Sequence, residues 1–177
     1  ALSLSNISHG QLKVWTSLAL LLVIAQILLG GWMSSNYAAL ACSTLPDCNG
    51  TWWPEMNFSE GFDITQTLGP SYLGGLMNSE ARTAIHVLHR YGAMILGVFL
   101  ILLSYRLMSQ DDRRLRKFGL GFLVVFFVQF CLGLANIYYL LPLDVAVAHN
   151  FGGACLFVLT VSLNYVVFSS RGRLNEF

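Results

Sequence analysis

Charge is scarce in this chain. Asp, Glu, Lys and Arg make up 11% of its 177 residues, against about 25% in soluble domains, which excludes an ordinary water-facing surface. The net charge is +1, and the basic residues are too few and too dispersed to follow a nucleic-acid backbone, so no nucleic-acid partner is expected. No Asp or Glu falls inside any of the long apolar runs. Proton pumping or acid–base work in those runs therefore has no evident agent. A glycine-rich phosphate loop and a Ser/His/Asp set are also missing, and no catalytic residue is assigned.

Apolar residues are abundant, at 55%. A chain of this length would make one domain of ordinary size. Four runs, 14–33, 83–107, 118–141 and 145–168, are long enough to cross a bilayer, since about 20 helical residues do so. The first is too long for a cleavable signal and lacks a small-residue cleavage site followed by a soluble chain. The expected fold is an all-α integral membrane protein: a four-helix transmembrane bundle of two repeated hairpins, with a long outer loop between spans 1 and 2. The chain starts with Ala and a short polar stretch, Ser3 to Lys13, as a piece of a longer protein would. The expected divisions are 1–13, a cytoplasmic stretch or interdomain linker; 14–168, the bundle, with its loop at 34–82; and 169–177, a cytoplasmic tail.

Basic residues set the orientation. Lys13 precedes the first run; Arg106, Arg113, Arg114, Arg116 and Lys117 lie between the second and third; Arg171 and Arg173 follow the fourth. The 34–82 connection holds Asp47, Glu55, Glu60, Asp63 and Glu80 against Arg82 alone. Both termini are expected inside, in the cytoplasm of a bacterium with this chain in its plasma membrane, or in the matrix if the membrane is mitochondrial. The long loop is expected outside. Cys42 and Cys48 fall on that loop, where thiols oxidise, and Pro46 and Asp47 suit a tight turn between them. A disulfide is the preferred reading over two free thiols. A zinc site is weaker because the loop has no His. Cys131 and Cys155 lie in spans and should pack as small apolar residues.

The two hairpins read as copies. Gln26 and Gly30 in the first span repeat as Gln129 and Gly133 in the third. His89, Tyr91, Gly92 and Ala93 in the second span repeat as His149, Phe151, Gly152 and Gly153 in the fourth, with Tyr105 and Tyr165 at matched offsets. Such duplication is common in membrane bundles. Polar side chains kept inside a membrane usually serve a function, and two imidazoles at matched depth are what haem iron needs for axial ligands on both faces. Both rings should lie within roughly 10 Å of the outer edge. Gly92, Gly152 and Gly153 share a helical face with the histidines. They make room either for a flat macrocycle or for a neighbouring helix.

His86, one turn before His89, admits several readings: a partner of the ligand, a propionate contact, a rival ligand, or a structural hydrogen bond. Arg90 suits a haem propionate or a lipid phosphate. His9 lies in the polar start and is read as inert. The outer loop holds Trp52, Trp53, Phe58, Phe62 and Tyr72. Loops of that length usually carry function or lie disordered, and part of this one is expected to form a short amphipathic helix covering the cofactor end. A stand-alone four-helix cytochrome b carrying electrons, and a haem-free tetraspan scaffold, are the other function classes the residues allow.

Four segments taken together resemble haem A synthase. They are Gln26-Ile-Leu-Leu-Gly-Gly-Trp-Met-Ser-Ser-Asn36-Tyr-Ala-Ala-Leu-Ala-Cys42, Cys48-Asn49-Gly50, Ile85-His-Val-Leu-His-Arg90 and Ala148-His-Asn150. The likeness is to the C-terminal half in particular and covers nearly the whole chain. It implies an eight-span membrane oxidoreductase of two four-helix halves that converts the C8 methyl of haem O to the formyl of haem A for cytochrome oxidase. It also implies a haem b held by His89 and His149 as a bis-histidine iron, and a family cysteine pair at Cys42 and Cys48. The family's catalytic carboxylate is a Glu three residues before the ligand His of the N-terminal half, and the equivalent position here is His86. The chain alone should then bind haem without catalysing. Its expected partners are membrane lipid, the N-terminal half carrying the haem O site, haem O synthase, oxidase assembly factors and a second copy of itself.

Overall fold

The computed structural model describes residues 8–65 and 77–169. Tyr72, Arg171, Arg173, the first seven residues and the tail from 170 lie outside them. Five helices follow in order: α1 His9–Ser35, α2 Phe58–Gly61, α3 Ser79–Met108, α4 Arg113–Tyr138 and α5 Leu143–Ser169. α1, α3, α4 and α5 are each long and apolar enough to cross a membrane. The fold is an all-α membrane bundle.

The helix ends depart from the apolar runs for local reasons. α1 starts five residues before the first run. The Ser8 side chain accepts from the Gln11 N–H while the Gln11 side chain accepts from the Ser8 N–H, a reciprocal cap that starts a helix without apolar residues. His9 to Lys13, read as a polar lead-in, are therefore helical. Asp112 accepts from the Arg114 N–H and starts α4 within the basic cluster. α4 ends before Leu140 and Leu141, which take positive φ of 58° and 63°, a conformation that stops a helix of L-residues. Pro142 then accepts from the Ala146 N–H at the head of α5.

The four long helices pack in a ring. α3 lies against α1 and α4, α5 lies against the same two, and no direct approach joins α3 to α5 or α1 to α4 among the described residues. α3 and α5 therefore face each other across the bundle. Lipid gives helices no hydrophobic drive toward one another, so close packing must hold them. That packing is concentrated at the end remote from the long loop. There Ala19, Val23, Leu96, Leu100, Leu103, Leu107, Phe122, Leu156, Leu163 and Val167 form the main core, and Asn164 Nδ2 donates to the Thr16 carbonyl at 2.9 Å to tie α5 to α1.

The long loop folds back onto the start of α3. Ala38, Met77, Ala81 and Ile85 pack with Trp32, Met33 and Phe62, and Trp32 Nε1 donates to the Gly61 carbonyl at 2.8 Å. Asp63 closes the turn after α2, held below the usual carboxylate range by hydrogen bonds from the Thr65 hydroxyl and N–H. The amphipathic helix expected in this loop is a single turn, α2. It packs on α3 and is tied to α1 through Trp32, so it covers the α1–α3 side of the loop end.

Candidate functional site

Two constellations of one glutamine, one histidine and two glycines sit on the loop side of the core, one per hairpin. In the first, the Gln26 amide nitrogen of α1 lies 3.1 Å from Nδ1 of His89 on α3 and donates to the His89 carbonyl at 2.9 Å. In the second, the Gln129 amide nitrogen of α4 lies 3.3 Å from Nε2 of His149 on α5. A methyl group on Gly30 would stand 3.2 Å from Cε1 of His89, and one on Gly133 would stand 3.2 Å from Cε1 of His149. Methyls on Gly92 and Gly152 would run into the amide oxygens of Gln26 and Gln129. The glycines give these neighbours their room: two lie beside the imidazoles and two beside the amides. Of the two sequence readings, close helix packing is the one realised for Gly92 and Gly152, since the space a Cβ would take holds a glutamine side chain.

The histidines sit on the two helices that face across the bundle. His89 lies ten residues into α3 and His149 six into α5, each about two turns from the nearest buried leucine, Leu96 or Leu156. Both are half-buried. His149 Nδ1, Gln129 Oε1 and Asn136 Oδ1 are buried with no hydrogen-bond partner. An unpaired buried polar atom costs about 1–3 kcal/mol, so three of them beside one hairpin mark a place built for something else to bind. Among the described residues no cluster of three or more His, Cys, Asp or Glu could hold a bare metal ion. Two opposed imidazoles instead suit a metal whose remaining positions are filled by its own macrocycle. The donor set and the orphaned nitrogen fit a haem.

His86 and Arg90 are placed elsewhere. His86 is 2% exposed. Arg90 Nε donates to its Nε2 at 3.0 Å. A guanidinium only donates, so Nε2 is the acceptor and the ring proton sits on Nδ1, which donates to the Ala38 carbonyl at 3.0 Å. The Cys42 N–H lies 3.3 Å from Nδ1, which in this tautomer has no lone pair to offer it. The rest of the Arg90 guanidinium donates to the carbonyls of Thr44 at 3.0 Å, Asp47 at 2.6 Å and Cys42 at 2.8 Å. In this structure both side chains bracket the loop closed by the Cys42–Cys48 disulfide. The polar atoms of both side chains are taken up here by each other and by the loop. Tyr91 adds a further tie, its hydroxyl donating to the Trp52 carbonyl while its ring stacks on Trp53. Cys131 and Cys155 are free thiols on α4 and α5.

Gln26 and Gln129 were legible in the sequence only as marks of the repeat. Their constant offset from Gly30 and Gly133, beside a matched His–Gly pair, was the signal for a shared role.

These features define a four-span membrane bundle with a duplicated imidazole site and a disulfide-closed loop. The family model described as cytochrome oxidase assembly protein matches residues 4–161. A protein named Heme A synthase from Shewanella oneidensis is 40% identical over 174 residues, covering 96% of this chain and 52% of that protein. One of the same name from Paracoccus denitrificans is 29% identical over 138 residues, covering 78% of this chain and 33% of that protein. No solved structure matches. The chain belongs to the haem A synthase family of cytochrome oxidase assembly proteins. It spans about half the length, or less, of the curated relatives it matches.

Proposed function

We propose that this chain is the haem b-binding, C-terminal half of a haem A synthase, supporting oxidation of the C8 methyl of haem O to the formyl of haem A. The observation that carries the reading is the matched pair His89 and His149, on helices set opposite each other with no close backbone approach and beside a buried ring nitrogen that has no partner. Both imidazoles would hold the iron, one on each face. Bound there, the haem supplies a one-electron redox centre. The protein's part is to orient the two rings, to keep water away with the apolar core beneath them, and to close the site on the α3 side with the bracketed loop.

The haem O site belongs to the N-terminal half, in this proposal, because the position of the family's glutamate is taken here by His86. His86 is neutral, buried and bound to Arg90 and Ala38, so it holds the loop and moves no proton. The chain lies in a bacterial plasma membrane with both termini in the cytoplasm and the loop outside. The residues before α1 link to the other half, 9–169 hold the haem-binding unit, and those after α5 form a cytoplasmic tail. Haem O synthase, oxidase assembly factors and a second copy of the chain are its further partners.

The test is the absorption spectrum of the purified chain with its iron stoichiometry. One six-coordinate low-spin haem per chain, and no conversion of haem O by the chain alone, is the expected result. Absence of a Soret band after loading with haem b rejects the reading, and haem A production by this chain alone rejects its assignment as a half-enzyme.

A further inference from the structure

The glutamines facing the two histidines have no role in the function proposed above, yet they recur in both hairpins with their glycine seats. An uncharged amide inside a membrane span must find a partner or leave its donor and acceptor unpaired. Gln26 points at the His89 ring and its carbonyl, and Gln129 points at the His149 ring. In both cases a glycine on the opposite helix clears the space that the amide fills.

An amide has a donor end and an acceptor end. When its nitrogen faces the ring, the facing ring nitrogen accepts and the opposite one bears the proton. When its oxygen faces the ring, the facing nitrogen carries the proton and the opposite one offers the lone pair that a metal takes. Gln129 shows what the second state would repair. Its Oε1 and the His149 Nδ1 are both buried and unpartnered. A half-turn of the amide would give Oε1 the Nε2–H of His149 and turn its nitrogen toward Gly152, leaving Nδ1 as the lone pair offered to iron. Resting on the haem-site reading, we propose that Gln26 and Gln129 are positioning residues. Each sets the rotation and tautomer of its imidazole, and so which ring nitrogen is presented to the iron. Partners of this kind also tune ligand basicity, and their loss typically costs about 10–100-fold in metal affinity.

The experiment titrates haem b into the detergent-solubilised chain and into Gln26→Met, Gln129→Met, Gln26→Glu and Gln129→Glu. It reads the Kd, the g-values of the low-spin ferric state and the midpoint potential. Methionine keeps the volume and removes the hydrogen bond; glutamate keeps an acceptor and strengthens it. The Met variants should bind haem roughly 10–100-fold more weakly with shifted g-values, and the Glu variants should stay six-coordinate at a lower potential than the parent chain. A parent chain that binds haem as a low-spin centre, with Met variants matching its Kd and g-values, overturns the inference and leaves the haem site standing. Should the Met variants fail to fold, Glu variants with unchanged potential overturn it equally. A parent chain with no low-spin haem overturns the site and this inference together.

Discussion

The hairpin of α1 and α3 and the hairpin of α4 and α5 hold the same histidine, glutamine and glycines, but they differ in how their helices are joined. The first closes through the long loop with its disulfide; the second turns within a few residues through Leu140, Leu141 and Pro142. The difference carries into the helices. One turn before the histidine stands His86 in the first copy and Ala146 in the second; directly after it stand Arg90 and Asn150. What the copies share surrounds the imidazoles, and what only the first has grips the loop. Comparing the copies therefore separates residues that serve the shared site from residues that serve a local connection.

The largest expected effect tests whether the copies are equivalent. His89→Ala and His149→Ala should each abolish the six-coordinate low-spin spectrum of the haem-loaded chain. If one variant keeps that spectrum, the two histidines are not a pair. Next comes the contrast between Arg90 and Asn150. Arg90→Leu removes the bracket from the loop and leaves the buried His86 without its donor. A loss of about 3 kcal/mol is expected, seen as roughly a hundredfold faster amide exchange at Ser43 and Asn49. Asn150→Leu, on an exposed position, should change stability by no more than about 0.5 kcal/mol. Equal costs at the two positions would erase the distinction.

Replacing both Cys42 and Cys48 by Ser should cost about 2 kcal/mol, the closure entropy of so short a loop. The change should be confined to amide exchange in the loop, with the haem spectrum unmoved, because the bracket from Arg90 binds carbonyls and not sulfur. The smallest effect is at the glutamine seats. Gly92→Ala and Gly152→Ala should each lower thermal stability by about 1 kcal/mol, since the amide can swing aside. A cost in only one copy would show that the seat is not a shared feature.

The spans, the duplicated hairpin and the cysteine pair could be read from the sequence because each leaves a regular mark: a hydropathy run, a repeated offset, a pair of thiols on an acidic loop. The start of α1 could not be read from hydropathy, since a capping pair at Ser8 and Gln11 begins it among polar residues. The place Arg90 takes in this structure could not be read for a different reason. Its acceptors are backbone carbonyls 43 to 48 residues away, and a carbonyl has no letter in a sequence. Gln26 and Gln129 were seen but not understood, because an uncharged amide gives a weak signal until the ring it faces is known.

The uneven packing along the bundle has a mechanical consequence. Leucines and valines lock the four rods together at one end, while the imidazole end is joined mainly by glutamine amides and a folded strap on one side. Such an assembly has the build of tongs: a broad apolar grip at one end, and polar tips spaced by glycines at the other.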